Sequence, residues 1–201
     1  MSDSSLTPVL PIRSPPTLEE RDDDALMLLA ASGHRPAFEA LACRHLPRLT
    51  SFCAKFLGDG HAGEEIAQEV LLEAWRERGR YEARGRFRVF LFTIARHQCL
   101  NRARDERRGR WSTWPPGREA SADAGEAEQL DRLLRREQER RVRDALSGLP
   151  AKLREAVLLR FDQGLAYAEI ARILRRPEAT VRSRVFLGLR RLRAELGEEA
   201  P

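Results

Sequence analysis

Apolar side chains along this 201-residue chain recur at three- and four-residue steps, and no segment alternates in the manner of a half-buried strand. The pattern therefore predicts helices. A first is expected over 25–31, opened by the capping carboxylates Asp22, Asp23 and Asp24 and closed by Gly33. A second is expected over 36–57, carried by Phe38, Leu41, Leu49, Phe52 and Phe56, with Pro47 expected to kink or split it. Gly58, Asp59 and Gly60 break the chain, and a third helix is expected over 62–79. A short basic loop over 80–86 leads to a fourth helix over 87–108. Periodicity then lapses through Gly109, Pro115, Pro116, Gly117 and the small polar run 120–125. It resumes over 128–146, 151–161, 167–174 and 178–196, with turns at Gly148-Leu149-Pro150 and Gln163-Gly164. Pro8, Pro11, Pro15 and Pro16 exclude a helix at the start. The expected fold is all-α: two small helical domains joined by a flexible linker. The expected boundaries are a flexible arm over 1–21, a first domain over 22–108, a linker over 109–129 and a second domain over 130–201. Trp111 and Trp114 are unusual in a linker and are expected to dock on the first domain, with docking on a partner as the alternative.

Charge changes the picture only when divided along the chain. There are 36 basic and 31 acidic residues, for a net charge of +5. Lys55 and Lys152 are the only lysines; every other basic residue is arginine, whose planar fork suits phosphates and base edges. Residues 1–24 carry −4 and residues 25–74 carry −2, whereas residues 75–110 carry +8 and residues 151–201 carry +4. Two basic blocks behind an acidic first third suit a chain that touches a polyanion twice. Solvated helix faces would produce the same charges. No apolar run approaches 18 residues, and no signal peptide is read at the start. Cys43, Cys53 and Cys99 are odd in number and far apart, which argues against a disulfide framework. A soluble, reduced, cytoplasmic protein is expected.

The last two predicted helices have the pattern of a helix-turn-helix. Ala171 is the small residue at the crossing, Ile170, Ile173 and Leu174 face inward, and Val181, Val185, Leu189 and Leu192 form the buried stripe of the final helix. Thr180, Arg182, Ser183, Arg184 and Phe186 are then free to meet a duplex in its major groove. Arg175 and Arg176 stand in the turn where glycine is common. On the third helix, Ile66, Ala67, Val70, Leu71, Ala74 and Trp75 form an apolar face. Glu65, Gln68, Glu69 and Leu72 lie outside it, as an interface with a basic protein would require. Tyr81, Arg84, Arg86, Phe87 and Arg88, then Arg96, His97, Asn101, Arg102 and Arg104, interleave aromatics with cations, as a single-strand track does. Catalytic chemistry is not expected. The Cys43/His45 and Cys99/His97 pairs lack zinc spacing, and no glycine-rich phosphate loop or facing acid pair occurs. No metal, cofactor or small-molecule substrate is expected.

The stretch from Glu64 to Trp75 (EEIAQEVLLEAW), followed by Phe87 to Arg104 with Ile94-Ala95-Arg96-His97, resembles region 2 of bacterial sigma factors. Leu149-Pro150, Arg154, the run from Leu165 to Ala171 (LAYAEIA) and that from Thr180 to Arg184 (TVRSR) resemble region 4. Order and spacing together resemble the extracytoplasmic-function (ECF) group of the sigma-70 family. That resemblance implies a transcription initiation factor. Glu65, Gln68, Glu69 and Leu72 would dock on the beta and beta-prime subunits of core RNA polymerase. Arg84, Arg86, Phe87, Arg88, His97, Asn101 and Arg104 would open and hold the -10 element. Thr180, Arg182, Ser183, Arg184 and Phe186 would read the -35 element of promoter DNA. An anti-sigma factor is a further implied partner. The family often carries Trp at the position of Phe90, Asn at His97, Arg at Leu187 and Ala at Gly188, so altered promoter preference is implied. The alternative is a helix-turn-helix regulator that binds duplex DNA without polymerase.

Overall fold

The computed structural model describes residues 17–107 and 126–197. Among these residues every regular element is helical: α1 (Asp23–Ala31), α2 (Arg35–Leu57), α3 (Gly60–Arg76), α4 (Phe87–Arg107), α5 (Glu126–Gly148), α6 (Ala151–Val157), α7 (Tyr167–Leu174) and α8 (Glu178–Leu196). A 3₁₀ turn over Glu77–Arg80 extends α3, and a π-type turn over Leu158–Asp162 extends α6.

Local chemistry explains most boundaries. The Asp22 carboxylate accepts from Ala25 N–H at 2.7 Å and starts α1. His34 Nδ1 accepts from Ala37 N–H at 3.2 Å, and Asp59 accepts from Ala62 N–H at 3.1 Å, capping α2 and α3. Gly58 ends α2 at φ 79°, donating its N–H to the Ala54 carbonyl at 2.8 Å.

Three expectations are corrected. Pro47 does not split α2, which runs unbroken through it, because buried Leu41 and His45 before it and Leu49 and Phe52 after it hold one face in the core. Pro47 cannot donate to the Cys43 carbonyl, but Cys43 is exposed and water can replace that bond. The arm expected to reach residue 21 is fixed from Thr17 onward. Arg44 of α2 donates to the Glu19 carbonyl at 2.9 Å and the Arg21 carbonyl at 3.0 Å, and Leu18 packs on the core. The last residues assigned to the linker belong to α5, which begins at Glu126. Trp111 and Trp114, whose docking was expected, lie outside the described residues.

Helices α1 to α4 form a bundle around Leu26, Leu41, Phe52, Phe56, Ile66, Val70 and Leu91. Each such side chain contributes about 1.5–3 kcal/mol through burial. Phe92 meets Phe52 edge-on at 5.4 Å between ring centroids. Gly63 permits α3 to touch α2: a Cβ there would stand 2.5 Å from the Ala54 backbone. Asp23 and Asp24 tie α1 to the rest. Asp24 accepts from the Tyr81 hydroxyl at 2.5 Å and from Gly85 N–H, which fixes the loop before α4. Asp23 meets Arg44 at 2.7 Å and His45 Nε2 at 2.8 Å. Burial alone would raise the Asp23 pKa, but bonds from His45 and Arg44 outweigh it and hold the carboxyl below its ordinary value.

Helices α5 to α8 complete a second unit around Leu149, Val157, Leu159, Ile170, Ile173, Val181 and Val185. Gly188 allows α8 to cross α6 closely, since a Cβ there would lie 2.5 Å from Val157 Cγ2. The turn between α7 and α8 is made without glycine. Arg175 adopts φ 49°, ψ 52°, the left-handed region that costs an L-residue about 1–2 kcal/mol.

Replacing Gly63 by Ala should destabilise the fold by about 1–3 kcal/mol in urea denaturation. The backbone contact cannot yield, although the substitution raises helix propensity. Asp23 should stabilise the protein fully above pH 3.8, its ordinary pKa, and progressively less as pH falls through the lower folded value. Asp23→Asn should therefore remove part of the acid limb of a stability-against-pH curve.

Candidate nucleic-acid and protein interfaces

Three surfaces carry the residues singled out from the sequence. On α3, the buried stripe is Ala62, Gly63, Ile66, Ala67, Val70 and Ala74. Gln68, Glu69 and Leu72 point to solvent on the opposite side, with Leu72 56% exposed. Leu72 thus places an apolar side chain beside a carboxylate and an amide on the solvent face of α3. Glu65 shares that helical spacing but is partly engaged within the fold, lying 3.4 Å from Arg102 of α4 and 3.4 Å from His61.

The second surface is the loop before α4 together with α4 itself. Arg84 and Arg86 are exposed, and Arg84 pairs with Glu82 at 2.8 Å. His97 and Arg104 are exposed, and Asn101 is half-exposed between them. Their spacing of four and three residues places them on one face of α4. Two residues grouped with them are placed differently. Phe87 is 2% exposed, with its ring packed at 5.2 Å from His45, 6.0 Å from Tyr81 and 6.2 Å from Phe90. It holds the start of α4 in the core and offers no face to a base. Arg88 turns toward the second unit and donates to the Gln163 carbonyl. Phe90 is half-buried, in edge contact with Tyr81 at 5.2 Å.

The third surface is α8. Arg182, Ser183 and Phe186 are exposed, Phe186 by 65%, and Thr180 is half-exposed. Arg184 departs from the expected set: it turns inward and donates to Glu155 Oε1 at 3.2 Å. The reason lies in α6. Glu155 is 2% exposed, and a carboxylate in that position requires a cationic partner. Its other oxygen accepts from Arg96 Nε of α4 at 2.7 Å, so one carboxyl group joins α4, α6 and α8.

That carboxylate is the centre of a polar seam between the two units. Asp162 accepts from Lys55 and lies 3.4 Å from Ser51 Oγ. Gln163 Nε2 donates to the Arg48 carbonyl at 3.1 Å. Arg154 Nη1 donates to the Phe56 carbonyl at 2.6 Å. Glu155 belongs to no motif visible in the sequence. Its signal was one of phase: it precedes the buried Leu158 and Leu159 by three and four residues, and therefore lies on the inward face of α6.

The family model described as Sigma-70 region 2 matches residues 41–109, and that described as Sigma-70, region 4 matches residues 139–192. Together they span more than half of the chain. RNA polymerase sigma factor CarQ of Myxococcus xanthus is 34% identical over 171 residues, covering 83% of this chain and 92% of that protein. ECF RNA polymerase sigma factor SigK of Mycobacterium ulcerans is 32% identical, covering 86% of this chain and 94% of that protein. RNA polymerase sigma-H factor of Pseudomonas aeruginosa is 29% identical, with coverages of 84% and 91%. Among solved structures, CnrH in complex with the cytosolic domain of CnrY has a similar fold, with a TM-score of 0.66 at 23% identity, covering 89% of this chain and 99% of that one. RpoE of Bartonella quintana in complex with the anti-sigma factor NepR has a TM-score of 0.64 at 23% identity, with coverages of 81% and 98%.

Replacing Glu155 by Gln should weaken its ion pairs with Arg96 and Arg184 while keeping the side-chain shape. The expected loss is about 1–3 kcal/mol of unfolding free energy, measured by thermal or urea denaturation.

Proposed function

The chain belongs to the sigma-70 family, in its ECF group, and from that premise we propose that it is the initiation subunit which gives core RNA polymerase its promoter specificity. It binds core polymerase, recognises the -10 and -35 elements and promotes DNA melting. One observation carries this reading: a region 2 unit and a region 4 helix-turn-helix follow one another in a single chain. A regulator that binds duplex DNA by itself, with the first unit as a sensor or dimerisation domain, would not account for the region 2 match.

Site assignments follow the exposed surfaces. Gln68, Glu69 and Leu72, with Glu65 at the margin, meet the beta and beta-prime subunits. Arg84, Arg86, His97, Asn101 and Arg104 hold the melted -10 strand. Unstacking bases costs a few kcal/mol, which positive charge and stacking offset. Arg182, Ser183, Phe186 and Thr180 read the -35 duplex. Phe87, Arg88 and Arg184 join these sets only when their present contacts are released. In domain terms, α1 to α4 serve the polymerase and the -10 element, and α5 to α8 serve the -35 element.

The two elements lie about 25 base pairs apart, or about 85 Å along a duplex at 3.4 Å per base pair. Arg96 and Arg184 share one carboxylate, so α4 and α8 cannot span that distance as packed. Promoter binding therefore requires the polar seam to open, and core polymerase is the partner that holds the units apart. The protein acts as a non-catalytic subunit. Its place is the cytoplasm, and no helix among the described residues is long and apolar enough to cross a membrane. An anti-sigma factor that competes for the same surfaces belongs to this reading.

In vitro transcription with purified core polymerase on a library of genomic fragments tests the function. Discrete start sites that require both proteins are expected. Tight binding of the factor alone to duplex DNA, with no transcription, would overturn the reading. Replacing both Glu69 and Leu72 by Lys should weaken core-polymerase binding at least about tenfold, because a charge reversal and a lost apolar anchor fall in one patch. The thermal midpoint should change little, since both side chains are exposed.

A further inference from the structure

Of the two arginines in the reading set on α8, Arg184 is withdrawn to Glu155, which leaves Arg182 as the guanidinium presented to solvent. It is not loose. Its guanidinium carbon lies 4.4 Å from the ring centroid of Tyr167, the first residue of α7. The same ring receives Arg160 at 4.7 Å, and Arg160 is itself pinned by donating to the Leu165 carbonyl at 2.9 Å. Arg182 also pairs with Glu178 one turn back on α8.

We propose that Tyr167 is a specificity-determining positioning residue, whose ring holds the Arg182 guanidinium in the pose that reads a base edge of the -35 element. The inference rests on the proposed reading of α8 as the -35 helix.

A long arginine side chain loses rotamer freedom when it binds a base, and one already stacked has less to lose. Stacking uses the flat face of the guanidinium and leaves its edge N–H groups free for the bidentate contact that arginine makes to guanine. The Glu178 pair is exposed and therefore weak, so a base edge can displace it while the ring contact stays. Arg160 anchors the other participant: with Arg160 tied to Leu165, the ring is held between a fixed cation and the reading one. A leucine in place of Tyr167 would fill comparable apolar space without a π face.

The test uses the full chain assembled with core polymerase, on the strongest promoter recovered from the fragment library. The panel consists of that promoter and single base-pair substitutions across its -35 element. Arg182→Ala should lose discrimination at one or two adjacent positions. Tyr167→Leu should lose about two- to fivefold of discrimination at those same positions, the size of an exposed cation–π contact. Its affinity for core polymerase and its thermal midpoint should be unchanged. Tyr167→Phe, which keeps the π face, should restore the wild-type pattern. Full discrimination in Tyr167→Leu, with loss in Arg182→Ala, would overturn the proposal while leaving the reading of α8 intact. Uniform loss across the whole panel in Tyr167→Leu would assign Tyr167 a merely structural role, which also overturns it. Unchanged discrimination in Arg182→Ala would remove the premise, and the proposal with it.

Discussion

A buried carboxylate dictates how the two halves of this molecule meet. Glu155 lies on the inward face of α6, where an uncompensated charge would be prohibitive. Arg96 from one unit and Arg184 from the other supply the compensation, one to each oxygen. The position of α8 relative to α6 follows from the Glu155–Arg184 bond and from the close approach that Gly188 allows. The position of the second unit against α4 follows from the Glu155–Arg96 bond, with the Asp162 and Gln163 contacts beside it. The buried apolar residues of both units belong to one cluster, and within it this carboxylate supplies a directional tie that apolar packing does not.

The helical layout was largely legible in the sequence because apolar period and capping chemistry act locally. Asp22, Asp59 and Gly58 mark helix ends by direct bonds to backbone a few residues away, so reading them required no knowledge of the fold. The split expected at Pro47 does not occur, for the opposite reason. Its local effect is to break a helix, and it was overridden by buried neighbours on both sides. The held segment from Thr17 was invisible because Arg44 reaches it from more than twenty residues away.

Site residues followed the same division. Gln68, Glu69 and Leu72 could be placed by helical phase alone, and they are exposed as phase requires. Phe87, Arg88 and Arg184 could not, since each is committed by a partner from a different element: His45, Gln163 and Glu155 respectively. Phase says which way a residue points from its own helix, not what stands opposite. Arginine-rich faces make this acute, because a guanidinium that suits a phosphate also suits an internal carboxylate.

The polar character of the seam has a thermodynamic consequence for the molecule in solution. If promoter binding opens the seam, as proposed, closed and open forms are two populations, and affinity for DNA is reduced by whatever fraction is closed. Lys55 is partly exposed, so added salt screens its pair with Asp162 and favours the open form, whereas the Arg96 pair, whose Glu155 carboxylate is buried, is screened much less. Salt also weakens every phosphate contact through counterion release. The two effects oppose each other: ionic strength that loosens the grip on DNA also frees more molecules to grip it. On the proposed reading, the salt dependence of promoter engagement would be shallower than the number of phosphate contacts alone would give.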